Sequence, residues 1–343
     1  MAKSLHRPAR NAFRPAVRAL LATLPAVVAV FGARASAPRP AQQPTGEIVA
    51  NLAAGRVAVL VAKDGIAVAT AQSQIEPQTL PPLIVPLGSL RVGVLLGPAE
   101  WVSPSVGRPP LRLDAELARI GPMRASVNAD AAAMAATDIE NIGLNFLEPL
   151  RTVAARLHGP LQLQSQEWFT ELMLVDYAPD YGPEVWSLRY RADQMLLRDD
   201  FYRTSIHRPE YVQLYPPDKG QPKTLIESTY PPHDPGEPPI LDLLKSGDSR
   251  LAALRSADPG IGRAAELLLR GESRKIRIED GLDLLSAAFQ AVSPKGAKQM
   301  ILEITEKDGM KWVLGENEVA APSPGQQSQQ GAPTLRKKPG PGR

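Results

Sequence analysis

Apolar positions along this chain come in short runs broken by turn formers, then in stretches with helical spacing, then in short runs again. The clearest unit is Arg56–Ala71, RVAVLVAKDGIAVATA. Its two apolar arms flank Lys63-Asp64-Gly65, where Asp and Gly supply the positive-φ residues of a tight turn, so the pattern predicts a β-hairpin. Alanines in both arms let another layer pack close, which predicts burial on at least one face. A polar, Pro-bounded loop follows over Gln72–Pro82. Leu83–Leu96 (LIVPLGSLRVGVLL) predicts a second hairpin turning near Gly88-Ser89, with its second arm ending at Gly97-Pro98.

Helical spacing takes over between Asp114 and His158. Leu113, Leu117 and Ile120 share a face, the Ala-rich run Ala129–Ala136 favours helix, and Ile142, Phe146, Leu150, Val153 and Leu157 recur near a 3.6-residue period. Gly143 and Pro149 predict a kink or break, and Gly159-Pro160 a stop. Strands return at Glu171–Asp176 and Glu184–Arg191. From Ala192 to Pro239 periodicity fades, and residues 201–240 hold nine prolines. Because proline supplies no ladder donor, this stretch reads as a long surface insertion. Helical patterns resume at Ile240–Lys245, Gly262–Arg270 and Asp280–Val292. A last hairpin, Gln299–Leu314, repeats the Lys-Asp-Gly turn at Lys307–Gly309. The order predicts an α+β fold of two antiparallel sheets with helices packed outside.

Charge changes the picture of the ends. The first 37 residues carry six basic residues and no acid, and the segment after Glu318 carries four and no acid. The overall balance of +3 therefore hides an acidic body, with 29 Lys and Arg against 36 Asp and Glu. That argues against a nucleic-acid partner. A basic region ending at Arg18, an uncharged run Ala19–Gly32 and small residues at Ala33, Ala35 and Ala37 make a secretory signal over residues 1–37. The run is shorter than the about 20 residues of a membrane span, so no stable transmembrane segment is expected after cleavage. An uncleaved anchor and a mitochondrial presequence are the competing readings. Localisation is expected to be secreted or periplasmic. Residues 38–54 read as a Pro- and Gln-bearing linker with a short apolar lead into the first hairpin, residues 55–317 as one domain carrying the insertion at 192–239, and residues 318–343 as a disordered basic tail. The chain has no cysteine, which excludes disulfides, thiolate metal sites and a Cys nucleophile.

The succession of elements resembles the proteasome-type N-terminal-nucleophile hydrolases. In that family the mature subunit opens with a strand, a Lys-Asp-Gly turn and a return strand ending in small residues, matched here by Val57–Ala71. A polar loop, a second hairpin like Leu83–Gly97, two long helices, two strands, more helices and a closing hairpin like Ile301–Val313 follow. The resemblance covers roughly Gly55 to Gly315 and implies a four-layer αββα sandwich. It also implies a nucleophilic N-terminal Thr, Ser or Cys whose own α-amine is the base. Counted back from the turn, that residue falls at Gly55, which has no nucleophile, and neighbouring registers give Ala53, Ala54 or Arg56. The family's acid falls near Ala71 and its supporting lysine within Pro82–Leu87, where there is no Lys or Arg. The resemblance thus implies the fold without its reaction.

Other candidates are weighed on their spacing. Thr45 could become an N-terminal nucleophile after cleavage at Pro44, but it lies about ten residues early in a linker. The two Lys-Asp-Gly turns read as solvated hairpin tips. His158, His207 and His233 are scattered without zinc spacing, with His158 placed at a helix C-terminus. Ser103, Ser105, Ser187, Ser246 and Ser249 lack a nucleophile elbow. Gly260 and Gly262 do not make a dinucleotide fingerprint and read as a turn before a helix. Asp199 and Asp200 are adjacent and diverge, a poor acid/base pair. Tyr177, Tyr181, Trp186, Tyr190, Phe201, Tyr202, Tyr211, Tyr215 and Tyr230, interleaved with arginines, read either as a recognition surface or as packing for the insertion. No catalytic, metal or cofactor residue is assigned.

The expectation is an exported non-catalytic scaffold or binding protein, either a homo-oligomer or one that takes a protein or peptide partner. Two alternatives stand beside it. One is a secreted peptidase or amidase of the same superfamily with a displaced nucleophile. The other is an envelope-associated protein of unrelated α+β fold whose Pro-rich segments bind a partner.

Overall fold

The first hairpin is buried on both faces, and its alternation explains how. In the computed structural model, which describes residues 48–315 except 103–108, 122–130, 160, 162–166, 179–181, 199–200, 218–219, 221, 224 and 233–237, Val57, Val59, Val61, Ile66 and Val68 join one apolar core. The intervening Ala58, Leu60, Ala62, Ala67, Ala69 and Ala71 join a second core with the C-terminal helices. The expected signal over residues 1–37, most of the expected linker and the basic tail lie outside the described residues.

In chain order the elements begin with β1 (Ile48–Ala53), β2 (Gly55–Val61), β3 (Ile66–Ala71), β4 (Thr79–Leu80), β5 (Leu83–Pro86), β6 (Arg91–Val102) and β7 (Leu111–Arg112). Helices α1 (Leu113–Ile120) and α2 (Ala131–Ala154) lead to β8 (Thr170–Ala178), β9 (Gly182–Tyr190), β10 (Ala192–Arg198), β11 (Phe201–Ile206), β12 (Glu210–Tyr215) and β13 (Leu225–Tyr230). Then come α3 (Ile240–Ser246), α4 (Ser249–Ala257), α5 (Pro259–Leu269), α6 (Ile278–Val292), β14 (Gln299–Thr305) and β15 (Gly309–Leu314). The smaller sheet runs β13-β2-β3-β14-β15, and the larger runs β12-β9-β8-β6-β1-β4, with β5 and β7 also on β6. The smaller sheet is antiparallel throughout. The larger one is mixed, since β1 and β4 pair in parallel. The chain is therefore α+β, with two main sheets and six α-helices among the described residues.

Helices cover both sheets. A Cβ on Gly93 of β6 would meet Leu117 of α1, and one on Gly143 of α2 would meet Leu188 of β9 and the Tyr211 hydroxyl of β12. That close approach explains the glycine in mid-helix. The expected break is not seen, and α2 runs through both Gly143 and Pro149. The small-residue side of the hairpin takes the C-terminal helices, with Ala264, Ala265, Leu268, Leu285, Ala288 and Phe289 buried against it.

Three differences from the sequence reading have physical causes. The end of the linker is strand β1, whose short unalternating run finds its partner in the outer half of β6, from Ala53↔Gly97 to Ile48↔Val102. The stretch 192–239 contains four strands, because Pro209, Pro216 and Pro231 flank β12 and β13 and leave the strands between them intact. Of these, β12 and β13 complete the two main sheets. The β10–β11 ribbon is held at the end of α2 by Gln194, whose Oε1 accepts from Leu161 N (2.6 Å) and whose Nε2 donates to Gly159 O (3.0 Å) and Thr204 Oγ1 (2.8 Å). Finally, α4 has little amphipathic signal and only Leu251 fully buried, so no periodicity announces it.

The Lys63-Asp64-Gly65 turn is more than a solvated tip. Asp64 Oδ1 accepts from Ile278 N at 2.9 Å, capping the first turn of α6 from 214 residues away. Lys63 N donates to Ile276 O at 2.8 Å. No side chain next to α6 performs that capping. Asp64→Ala should therefore cost about 1 kcal/mol by loss of a cap, read as a lowered urea midpoint, while Asp64→Asn should keep most of it.

Candidate functional site

The end of the two sheets where β1 passes into β2 gathers the polar groups buried between them. Ala54 makes the passage, its N–H donating to Leu80 O at 2.9 Å. Gly55 follows with φ 144, and a Cβ there would lie 2.0 Å from Ala71 O. Position 55, where the resemblance puts a nucleophile, is thus a mid-chain residue between two paired strands, without room for a side chain. Ala71, where the resemblance puts an acid, is fully buried and pairs with Arg56. The expected lysine stretch supplies Leu83, Ile84 and Val85 to the core.

A carboxylate arrives at this end from another strand. In the larger sheet Leu96, Glu171 and Arg189 are register neighbours across β6, β8 and β9. Below them in the smaller sheet, Ser228, Val57 and Thr70 form a row across β13, β2 and β3. Glu171 is fully buried and so is Ser187. Glu171 Oε1 accepts from Ser187 Oγ and from Arg189 Nε, the latter at 3.2 Å. Its Oε2 accepts from Ser228 Oγ, which crosses from one sheet to the other. The Arg189 guanidinium lies 4.2 Å from the centre of the Trp168 ring. Tyr230 OH donates to Phe169 O at 3.2 Å, and burial pushes its phenol above the usual range. A buried charge needs this density of partners, because each lost partner exposes the cost of desolvation.

Glu171 could not be read as a centre from its position in the chain. It opens a strand, where an acid reads as solvated. The available signal was alternation, since Glu171, Met173 and Val175 share the face that meets the smaller sheet. Ser187 appears among the candidate serines, but it meets the carboxylate on a strand, fully enclosed.

On the outer face of β13, Glu227 caps α3, accepting from Ile240 N at 2.7 Å and Leu241 N at 3.4 Å. Burial raises its carboxyl, against the lowering effect of those two N–H groups. The folded chain therefore keeps a proton that the unfolded chain has released, so this group's contribution falls as pH rises from the ordinary carboxylate range through the raised folded value. Glu227→Gln should flatten that decline in urea midpoints measured from about pH 4 to pH 7. Glu184, also raised by burial, leaves part of the slope in place.

Elsewhere the candidates disperse. Arg91 is bound through Nε and Nη2 to Asp176 (3.0 and 2.6 Å) and through Nη1 to Asp138, tying α2 to β6 and β8. His158 lies beyond the end of α2, stacked on Phe201 at 4.1 Å. His207 Nε2 meets Asp193 at 2.6 Å on the surface. Ser246 Oγ bonds back to Leu243 O, and Ser249 opens α4. Gly260 and Gly262 fall in the first turns of α5, capped by Asp258. In the second Lys-Asp-Gly turn, Asp308 N donates to Thr305 Oγ1. The aromatics of 177–230 do not share one surface. Tyr190 and Tyr211 donate to the α2 carbonyls of Gly143 and Glu140, Tyr230 is buried, and Phe201 is exposed. Thr45, Ser103, Ser105, Tyr181, Asp199, Asp200 and His233 lie outside the described residues.

On the helix side of the same strand ends is an open cleft of about 480 Å³ lined by Arg56, Gln72, Ser73, Arg250, Val292 and Ser293. Its arginines are engaged, Arg56 with Pro238 O and Arg250 with Asp248. Among the described residues no group of three or more His, Asp or Glu could hold a metal ion, and no helix is long and apolar enough to cross a membrane. The sequence matches no protein-family model, and no curated protein matches it.

Proposed function

We propose that this chain is an exported, non-catalytic protein with the αββα sandwich of the proteasome-type N-terminal-nucleophile hydrolases, working as a scaffold or binding protein. The succession of elements supports the fold. A helix pair separates β6 from β8, four helices separate β13 from β14, and helices pack on the outer sides of two sheets joined by Glu171 and Ser228. The observation that carries the function is Gly55. The residue in the nucleophile's place has no side chain and no space for one. The test is N-terminal sequencing with intact mass on protein purified from its native host. A terminus between Ala35 and Pro38 supports the proposal. A terminus at a Thr or Ser beside the first strand overturns it.

One contact favours a second reading, hydrolysis with a displaced nucleophile. Ser228 Oγ donates to Glu171 at the same end of the sheets. A fluorophosphonate that labels the native protein at Ser228 supports it, and labelling unchanged in Ser228→Ala or absent altogether removes it.

A further inference from the structure

We infer that Arg189 is the group by which this end of the molecule takes a ligand, and that the ligand presents a carboxylate. The inference rests on reading the chain as a binding protein. Arg189 is the charged partner of Glu171 and reaches solvent, with its side chain 30% exposed and that of Glu171 0%. Two contacts fix its plane. Nε is bound to Glu171 Oε1 at 3.2 Å, and the guanidinium lies 4.2 Å from the Trp168 ring centre. Glu171 is itself fixed by Ser187 and Ser228. Among the described residues Nη1 and Nη2 of Arg189 have no hydrogen-bond partner. Glu210, its register neighbour on β12, is turned to Arg191 at 3.3 Å.

An arginine held this way has already lost its rotamer freedom, so the cost of ordering it falls on folding and not on binding. Its two terminal nitrogens form a planar fork that matches the two oxygens of a carboxylate. A lysine could supply the charge but not the fork. The charge of Glu171 offsets that of Arg189, and a ligand carboxylate would pair with Nη1 and Nη2.

The experiment follows side-chain NMR of the full chain. The Arg189 Nε–H and Trp168 indole N–H resonances are recorded while trialanine, and separately its C-terminal amide, is titrated in. Saturable shifts of both resonances with the free acid, with the amide at least about tenfold weaker, support the proposal. Equal responses to acid and amide, or no response to either, overturn it. Arg189→Lys, checked for an unchanged urea midpoint, should weaken the Trp168 response about tenfold, and an undiminished response overturns the proposal as well. If that variant does not fold, the acid-against-amide contrast in the native protein decides alone. A mature terminus at a Thr or Ser would overturn the non-catalytic reading without touching this result.

Discussion

Glu171→Ala is expected to destabilise the protein by about 3–5 kcal/mol, from the stranded hydroxyl of Ser187 at about 1–3 kcal/mol and the cavity left between the sheets. The side chain is fully buried and three donors converge on it: Ser187 Oγ, Arg189 Nε and Ser228 Oγ. Removing the carboxylate leaves the buried Ser187 hydroxyl and the half-buried Ser228 hydroxyl without their acceptor, and a cavity between the sheets. A domain of this size converts that loss into about 10 °C of melting temperature. Glu171→Gln should cost less, since its carbonyl still accepts. Glu171→Met combined with Ser187→Ala and Ser228→Ala should recover most of the loss, because no polar group is then stranded. Arg189 tolerates that change, being able to turn to water. Calorimetry of the single and triple variants checks both claims, and a triple variant as unstable as Glu171→Ala would show that packing, not polarity, sets the cost.

Gly55→Thr is expected to destabilise by more than about 3 kcal/mol and to confer no hydrolysis. The φ of 144 is a region that L side chains rarely adopt, and a Cβ would sit 2.0 Å from the Ala71 carbonyl oxygen. Relief would require β2 and β3 to part where Arg56 pairs with Ala71. A β-branched residue adds its own crowding. The hydroxyl would arrive without a free α-amine, since Ala54 precedes it in the intact chain. Soluble yield and urea midpoint measure the first part of the prediction, and release from a fluorogenic peptide measures the second. Gly55→Ala should fall between native protein and Gly55→Thr, because it meets the same carbonyl with a smaller group.

Both predictions turn on groups that the sequence reveals unequally. The hairpins Arg56–Ala71 and Gln299–Leu314 were legible because apolar arms and a Lys-Asp-Gly turn are local signals. The second hairpin was legible too, but its long arm runs on to Val102, since β1 offers it a partner that only tertiary structure supplies. The 192–239 stretch misled because counting prolines ignores where they fall, and they fall at strand ends. The Glu171 cluster was not legible. Its members come from positions 171, 187, 189 and 228, and nothing in their spacing says that two sheets will bring them within hydrogen-bonding distance. Gly55 lay between these cases. Its missing side chain could be read directly, but the carbonyl filling the space came into view only with the fold.

The passage from one sheet to the other through Ala54 has a dynamic consequence. A single residue joins β1 to β2, so the two sheets are tethered there without slack, and the Glu171–Ser228 bond lies at the same end. Sliding of one sheet over the other is blocked at that end. Opening is expected to be larger at the opposite end, where the β2–β3 turn lies. Amide hydrogen exchange should show this polarity within a single strand, with Ala58, paired with Ala69, protected longer than Ala62, whose N–H donates to Gly65 O, as expected for a molecule hinged like a book at its spine.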